Sequence, residues 1–136
     1  MQTTWADEAI FYHIYPLGLC GAPRQNDFSS PAVPRLEQLH AWLDHIQSLG
    51  ANTLYLGPLF ESSRHGYDTA DYFWVDRRLG DNQTLRRLSA DLHARGMRLV
   101  LDAVFNHVGR EFWAFRDVRT HGERSAYRGW FHNLRF

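Results

Sequence analysis

Three short stretches of the chain are apolar almost without interruption, at residues 10–15, 53–56 and 99–105. Branched and aromatic side chains dominate each of them, which is typical of β-strands. The third stretch is broken only by Asp102, and a run of this kind indicates a strand that is buried on both faces. These stretches therefore predict three strands.

Between these stretches, apolar side chains recur at three- and four-residue spacing, which predicts amphipathic helices. The first helix begins near Pro34, a residue suited to the first helical position, and ends at Gly50. The second begins after Asp81 or Asn82 as the capping residue and ends at Gly96. The resulting order, β-α-β-α-β, predicts parallel strands joined by right-handed crossovers.

The connections between these elements are unequal in length. The turns from helix to strand are very short, whereas long loops at residues 17–33 and 57–82 follow the first two strands. In a (β/α)8 barrel, the loops that follow the strands build the active face. Residues 16–21 lack the glycine pattern of a dinucleotide-binding sheet. The predicted fold class is therefore α/β, a partial (β/α)8 TIM barrel made of its first three βα units, since three strands cannot close a barrel.

The amino-acid composition excludes several classes of binding partner. The formal net charge is zero, with 15 basic and 15 acidic residues, so neither nucleic acid nor an anionic membrane is an expected partner. No lysine is present, which excludes lysine Schiff-base chemistry within this chain. A single cysteine, Cys20, and an N-terminus without the features of a signal peptide predict a cytoplasmic location.

Polar residues gather where the third strand ends. Asp102 lies within the apolar run, and Asn106 and His107 follow it. A buried carboxylate is costly unless it is paired, so Asp102 is expected to be an orienting group. The same three residues also fit a satisfied core aspartate, a turn asparagine and a surface histidine. On the preceding loop, Asp71 and Asp76 are expected to be solvated or capping acids.

The sequence Asp-Ala-Val-Phe-Asn-His at residues 102–107 matches the first signature region of the α-amylase family of glycoside hydrolases. Further segments resemble the family's first strand, its second strand and the loop that follows, at residues 11–16, 50–58 and 65–72 respectively. Within the family, residues 67–131 most resemble the neopullulanase, cyclomaltodextrinase and maltogenic amylase group.

The resemblance also implies a division of the chain. Residues 112–117 and 127–131 are similar to the opening of domain B in that group. Residues 1–108 are therefore expected to form the N-terminal part of the catalytic barrel, and residues 109–136 the start of a domain B-like insertion.

The resemblance assigns substrate contacts to individual residues. It implies that His107 donates a hydrogen bond to the sugar at the cleavage subsite, and that Tyr67 stacks on a pyranose ring, with His65 beside it as a further substrate contact. Asp68 is expected to hold the loop, and the amide oxygen of Asn106 to be one ligand of a structural calcium ion. The alternatives are a histidine that lies at the surface or behind the residues that touch the sugar, and a tyrosine packed on the barrel rim.

Retaining glycoside hydrolysis needs two carboxylates about 5 Å apart. In the family these groups lie on later strands, so none is expected among these 136 residues. The chain is therefore expected to be an N-terminal portion of an enzyme acting on α-glucans. Alone it would be inactive, and it would need the missing barrel half or self-associate. The alternatives are a non-catalytic amylase-like complementing subunit or carbohydrate-binding relative, and an unrelated open α/β domain.

Overall fold

The computed structural model describes residues 3–136. It contains five strands, β1 (Phe11–Ile14), β2 (Thr53–Leu56), β3 (Phe60–Ser62), β4 (Thr69–Val75) and β5 (Arg98–Leu101). Strands β1, β2 and β5 form a parallel sheet in that order, whereas β3 and β4 form a separate antiparallel hairpin. The three parallel strands are those expected from the apolar runs, and their connectivity is that of a partial barrel.

Four α-helices accompany the strands, α1 (Pro16–Leu19), α2 (Leu43–Ser48), α3 (Asn82–Ala94) and α4 (Trp113–His121). The expected helix after Pro34 is divided, because a 3-10 helix, Arg35–Trp42, runs directly into α2. Helix α3 begins as predicted, since the Asp81 carboxylate accepts a hydrogen bond from the backbone N–H of Thr84 at 2.8 Å. Across residues 3–136, the helices are too short or too polar to cross a bilayer.

The hydrophobic core lies between one face of the parallel sheet and the helices. Leu54 and Leu56 project from β2 into this layer, and Leu88 and Leu92 meet them from one side of α3, four residues apart. Fully buried side chains complete it, among them Leu36, Leu39, Leu43 and Ile46. Burial of each leucine contributes roughly 1.5–3 kcal/mol, so this layer is the main source of stability.

The expectation of a strand buried on both faces at residues 99–105 is wrong. Strand β5 ends at Leu101, its last three side chains are only half-buried, and Phe105 is 79% exposed. Asp102 is therefore not inside a buried strand, but follows β5 and is half-buried. The reason is that the helices cover one face of the sheet, while the opposite face is open among the described residues.

The segment 57–82, expected as a loop, contains the β3–β4 hairpin. Asp71 interrupts the apolar pattern of Thr69–Val75, so the pattern does not predict this strand. Asp76, expected as a solvated or capping acid, is fully buried immediately after β4, where it accepts from the backbone N–H of Arg78 at 3.0 Å. Its carboxylate receives hydrogen bonds from Arg78 Nε at 2.8 Å and Nη2 at 2.7 Å, and from Ser62 Oγ at 2.9 Å. Arg78 lies two residues away on the same turn, so the ion pair is local in sequence. Both side chains are buried, so the pair is also shielded from solvent.

Arg78 also connects the loops at one end of the sheet. Its Nη1 donates to the carbonyl oxygens of Pro23 at 2.9 Å and Arg64 at 2.8 Å. Pro23 belongs to the loop after β1, and Arg64 to the connection between β3 and β4. The buried guanidinium therefore fixes the two loops relative to each other.

Candidate active-site edge

The predicted site residues lie at the carboxyl edge of the parallel sheet, where parallel strands present their following loops together. Tyr15 follows β1, and Asp102 follows β5 with its backbone N–H donating to the Leu56 carbonyl at 2.9 Å. The loop that carries His65 and Tyr67 joins the two strands of the hairpin. This edge therefore brings together chain segments that are far apart in sequence.

His107 contacts the hairpin loop directly. Its Nε2 lies 2.9 Å from the backbone carbonyl oxygen of Tyr67. A carbonyl can only accept, so Nε2 donates the proton in this hydrogen bond. The Tyr72 hydroxyl donates to the carbonyl oxygen of Val104 and, at 3.3 Å, to that of His107. The segment after β5 is thus tied to the hairpin at several points.

Two glycines permit close backbone approaches at this edge. A Cβ atom at Gly109 would clash with the carbonyl oxygen of Asp68 and lie 2.6 Å from its carbonyl carbon. Gly66 has a positive φ of 93°, and a Cβ atom there would lie 2.7 Å from that of Pro58. A side chain at Gly109 would push the segment after β5 away from the hairpin loop, whereas one at Gly66 would push that loop away from Pro58.

Tyr67 presents its ring to solvent with 45% of its surface exposed. Its pKa is raised by partial burial and then by the negative charge and hydrogen bonding of Asp102. The pKa of Tyr55 on β2 is raised by the same causes, so Asp102 lies close to both phenols.

His13 and Tyr55 also belong to this edge, although they were not predicted as site residues. Their rings are stacked with centroids 4.6 Å apart, and the two residues are register partners on β1 and β2. The alternation of side chains along a strand indicates that both residues lie on the face opposite the leucine core. The stacking of the two rings could not be predicted, because it depends on the register between β1 and β2.

His65 and Asp68 make contacts within their own loop. His65 Nδ1 accepts a hydrogen bond from the backbone N–H of Tyr67 at 3.2 Å and lies 3.7 Å from the Asp68 carboxylate. Asp68 also accepts from the backbone N–H of Arg64 at 3.2 Å. The Tyr15 hydroxyl donates to the His65 carbonyl at 2.9 Å. These bonds shape the loop, and direct sugar contacts by His65 stay a prediction.

Asn106 is exposed at the end of this segment. Calcium requires six to eight oxygen ligands, of which Asn106 offers one. Among residues 3–136, no group of three or more His, Cys, Asp or Glu side chains is placed to hold a metal ion. The described residues thus do not form a complete calcium site, and calcium binding stays a prediction.

The carboxylates near this edge differ in whether they are free to contact a ligand. Glu61 is buried and paired with Arg77 Nε at 2.6 Å, and Asp76 is enclosed with Arg78. Among residues 3–136, Asp102 is the only acid that directly follows a strand of the parallel sheet. The arrangement offers an aromatic face, an imidazole and one carboxylate, which suits binding and orienting a polyhydroxylated ligand.

Comparisons with known proteins agree with this geometry. The family profile described as alpha amylase, catalytic domain, matches residues 35–135. Neopullulanase 2 from Thermoactinomyces vulgaris is 41% identical over 142 residues, covering 93% of this chain and 24% of that protein. A cyclomaltodextrinase from a Bacillus species is 42% identical, covering 94% of this chain and 25% of that protein. The chain thus spans about a quarter of the length of these curated relatives.

Solved structures give the same result. The ligand-free form of cyclic alpha-maltosyl-(1→6)-maltose hydrolase from Arthrobacter globiformis aligns with a TM-score of 0.79 and 41% identity, covering 93% of this chain and 32% of that one. Its complex with maltose aligns with a TM-score of 0.78. Both the partial (β/α)8 barrel and the resemblance to the neopullulanase and cyclomaltodextrinase group are therefore confirmed, and the chain belongs to the α-amylase family.

Proposed function

We propose that this chain forms the substrate-binding part of a retaining glycoside hydrolase that cleaves α-glucosidic bonds in maltodextrin-like substrates. The observation that carries the proposal is the contact between His107 and the Tyr67 loop at the carboxyl edge of the sheet. It brings an imidazole and an exposed phenol ring together where barrel enzymes bind substrate.

Each group has a distinct role in this proposal. The ring of Tyr67 packs on the apolar face of a pyranose, while His107 hydrogen-bonds a sugar hydroxyl. Asp102, held beside Tyr55 and Tyr67, orients this wall of the site. These contacts accelerate the reaction only as far as they are stronger in the transition state than in the ground state.

We further propose that the catalytic carboxylates come from outside these 136 residues. Retention requires a nucleophile and an acid/base about 5 Å apart. Asp102 cannot supply both groups, and the buried Glu61 and Asp76 are already paired with arginines. The greater length of the curated relatives supports this division.

The experiment compares the protein as its gene encodes it with the 136-residue chain. The gene-encoded protein is expected to hydrolyse maltotriose and cyclomaltodextrin, with the α-anomer formed first in NMR spectra. The chain alone is expected to be inactive. Turnover by the purified chain that persists in a His107→Ala variant would contradict the proposed division of roles.

A complementing subunit is the second candidate function. The open face of the sheet, where Phe11 is 51% exposed, favours a surface that another polypeptide covers. If mixing with a second, separately encoded polypeptide restores hydrolysis, the chain is a subunit. If a single reading frame encodes the active enzyme, this alternative is excluded.

The proposal includes a cytoplasmic location and an α-glucan as the substrate partner. The relative from Bacillus subtilis strain 168, 37% identical over 145 residues, is named an intracellular maltogenic amylase. Fractionation of cells expressing the tagged gene-encoded protein tests the location, and recovery in the secreted fraction would contradict it.

A further inference from the structure

A second concave surface lies on the hairpin, away from the His107 contact. Its cavity of about 480 Å³ is bounded by the loop after β1, the β3–β4 hairpin and the beginnings of α3 and α4. Small-molecule sites commonly occupy about 300–1,000 Å³, so its size suits a ligand of several rings. We name this surface the Trp74 cavity, after the residue on β4 that lines it.

Two tryptophans and several charged side chains form its wall. Trp74 is 60% exposed and Trp113, at the start of α4, is 38% exposed. Arg77 is paired with Glu61 at 2.6 Å, and Arg116 lies 3.8 Å from Glu111. Both arginines have acidic partners, and Asp71 and Asp81 also line the wall, so the cavity disfavours an anion. Indole faces with hydrogen-bonding groups around them suit a saccharide.

The Trp74 cavity adjoins the candidate active-site edge. A neighbouring cavity of about 600 Å³ is lined by His65 and Asp68 of that edge. Phe28 and Glu111 belong to the walls of both cavities. The two cavities therefore share a wall, and the second one extends to His65, one of the predicted substrate contacts.

We infer that the Trp74 cavity binds a remote stretch of the same α-glucan chain whose cleaved bond lies near His107. The α-glucan identity of the ligand rests on the proposed function, whereas the cavity and its exposed indoles do not. Occupancy of both the Trp74 cavity and the active-site edge would favour longer chains over maltose, because each additional contact adds to the total binding energy.

The β4 strand supplies a matched pair of variants. Trp74 lines the cavity, whereas its neighbour Phe73 does not, although Phe73 is 77% exposed. Trp74→Ala therefore removes the cavity aromatic, and Phe73→Ala removes an exposed aromatic of the same strand outside it. Circular dichroism and the Tm of each variant verify that both remain folded.

The test measures maltoheptaose binding to the gene-encoded protein through the KM of its hydrolysis, with migration in gels containing amylopectin as a second readout. If the protein does not hydrolyse maltoheptaose, calorimetry measures its binding directly. Trp74→Ala is expected to weaken maltoheptaose binding about 10-fold, the loss of one aromatic stacking contact, while Phe73→Ala changes it less than about 2-fold. Cellohexaose is the control ligand and is expected to bind weakly in every variant.

The outcomes separate this inference from the proposed function. Unchanged maltoheptaose affinity in Trp74→Ala, equal losses in both variants, or equally tight cellohexaose binding would overturn the inference, even if maltotriose is hydrolysed normally. Absence of any hydrolysis, together with Trp74-dependent maltoheptaose binding, would overturn the proposed function and leave the saccharide site supported.

Discussion

The Nε2 atom of His107 donates a hydrogen bond to the backbone carbonyl oxygen of Tyr67, at 2.9 Å. In the neutral imidazole, Nδ1 then carries a lone pair and can accept from a hydroxyl group. The resemblance implies that His107 donates to a sugar, and donation from Nε2 would require the ring to leave the Tyr67 carbonyl. The resting contact thus orients the histidine and couples it to the loop that carries Tyr67.

Replacing His107 with alanine removes both this contact and the predicted sugar contact. In the gene-encoded protein, we expect His107→Ala to lower kcat/KM for maltotriose by roughly 10²-fold, because the hydrogen bond strengthens toward the transition state. The exposed His93 on α3 provides the control, and His93→Ala should retain wild-type kinetics. Wild-type kcat/KM in His107→Ala would show that His107 is a surface histidine without the predicted sugar contact.

Gly109→Ala tests the close approach of the two loops. Its Cβ atom would meet the backbone of Asp68, so we expect a loss of roughly 1–3 kcal/mol in the free energy of unfolding, typical of overpacking. At Gly129, nothing lies within 4 Å of an added Cβ, so Gly129→Ala is the matched control. Urea unfolding of the gene-encoded protein measures both. Equal stability of the two variants would show that the loops separate without cost.

Asp76→Ala leaves the buried Arg78 guanidinium without its carboxylate. The expected cost is about 3–5 kcal/mol, because the remaining positive charge stays enclosed without a negatively charged partner. The exposed pair of Arg87 and Glu37 serves for comparison, and Glu37→Ala should cost less than about 1 kcal/mol. Thermal unfolding of both variants gives the comparison. A small loss in Asp76→Ala would indicate that water reaches Arg78.

Asp91 links α3 to the preceding helices and makes stability depend on pH. Hydrogen bonds from His40, at 2.7 Å, and from Arg95 hold the pKa of Asp91 below its ordinary value. The stabilisation is therefore complete above the unfolded-state pKa of about 3.9 and is lost as pH falls through the lower folded-state pKa. Asp91→Asn should lower the Tm at pH 7 and flatten its decline in acid. An identical acid decline in both proteins would contradict this.

The open sheet face predicts association of the isolated 136-residue chain. Phe11 and Phe105 are more than half exposed, and both outer strands of the parallel sheet have an edge without a neighbour in residues 3–136. Such surfaces favour aggregation or strand exchange. Sedimentation velocity at micromolar concentration should show species larger than a monomer. A monomer with a sharp cooperative urea transition would contradict the expectation.

The apolar runs and the helix boundary residues were sufficient to predict the parallel sheet. Asp81 and Gly96, for example, mark the limits of α3 through purely local chemistry. The β3–β4 hairpin was missed because Asp71 interrupts its apolar pattern, and this carboxylate accepts from the Phe73 backbone N–H at 2.8 Å. This contact is local to the strand, whereas the apolar pattern that predicts a strand extends over several residues.

The signature residues predicted where the site lies but not how its groups are paired. The contact between His107 and Tyr67 spans 40 residues, and it depends on the close approach at Gly109. The stacking of His13 on Tyr55 likewise depends on the register of two strands. Neither distance can be obtained from spacing along the chain, because tertiary packing decides both.

The Arg78 guanidinium, which joins the Pro23 and Arg64 carbonyls, has a consequence for the thermodynamics of ligand binding. Loops that are held together by hydrogen bonds before a ligand arrives lose little conformational freedom when it binds. A saccharide at this edge would therefore encounter a preorganised wall, and its binding would carry a small entropic penalty from the protein. The sugar's own glycosidic torsions would then account for most of the ordering that accompanies complex formation.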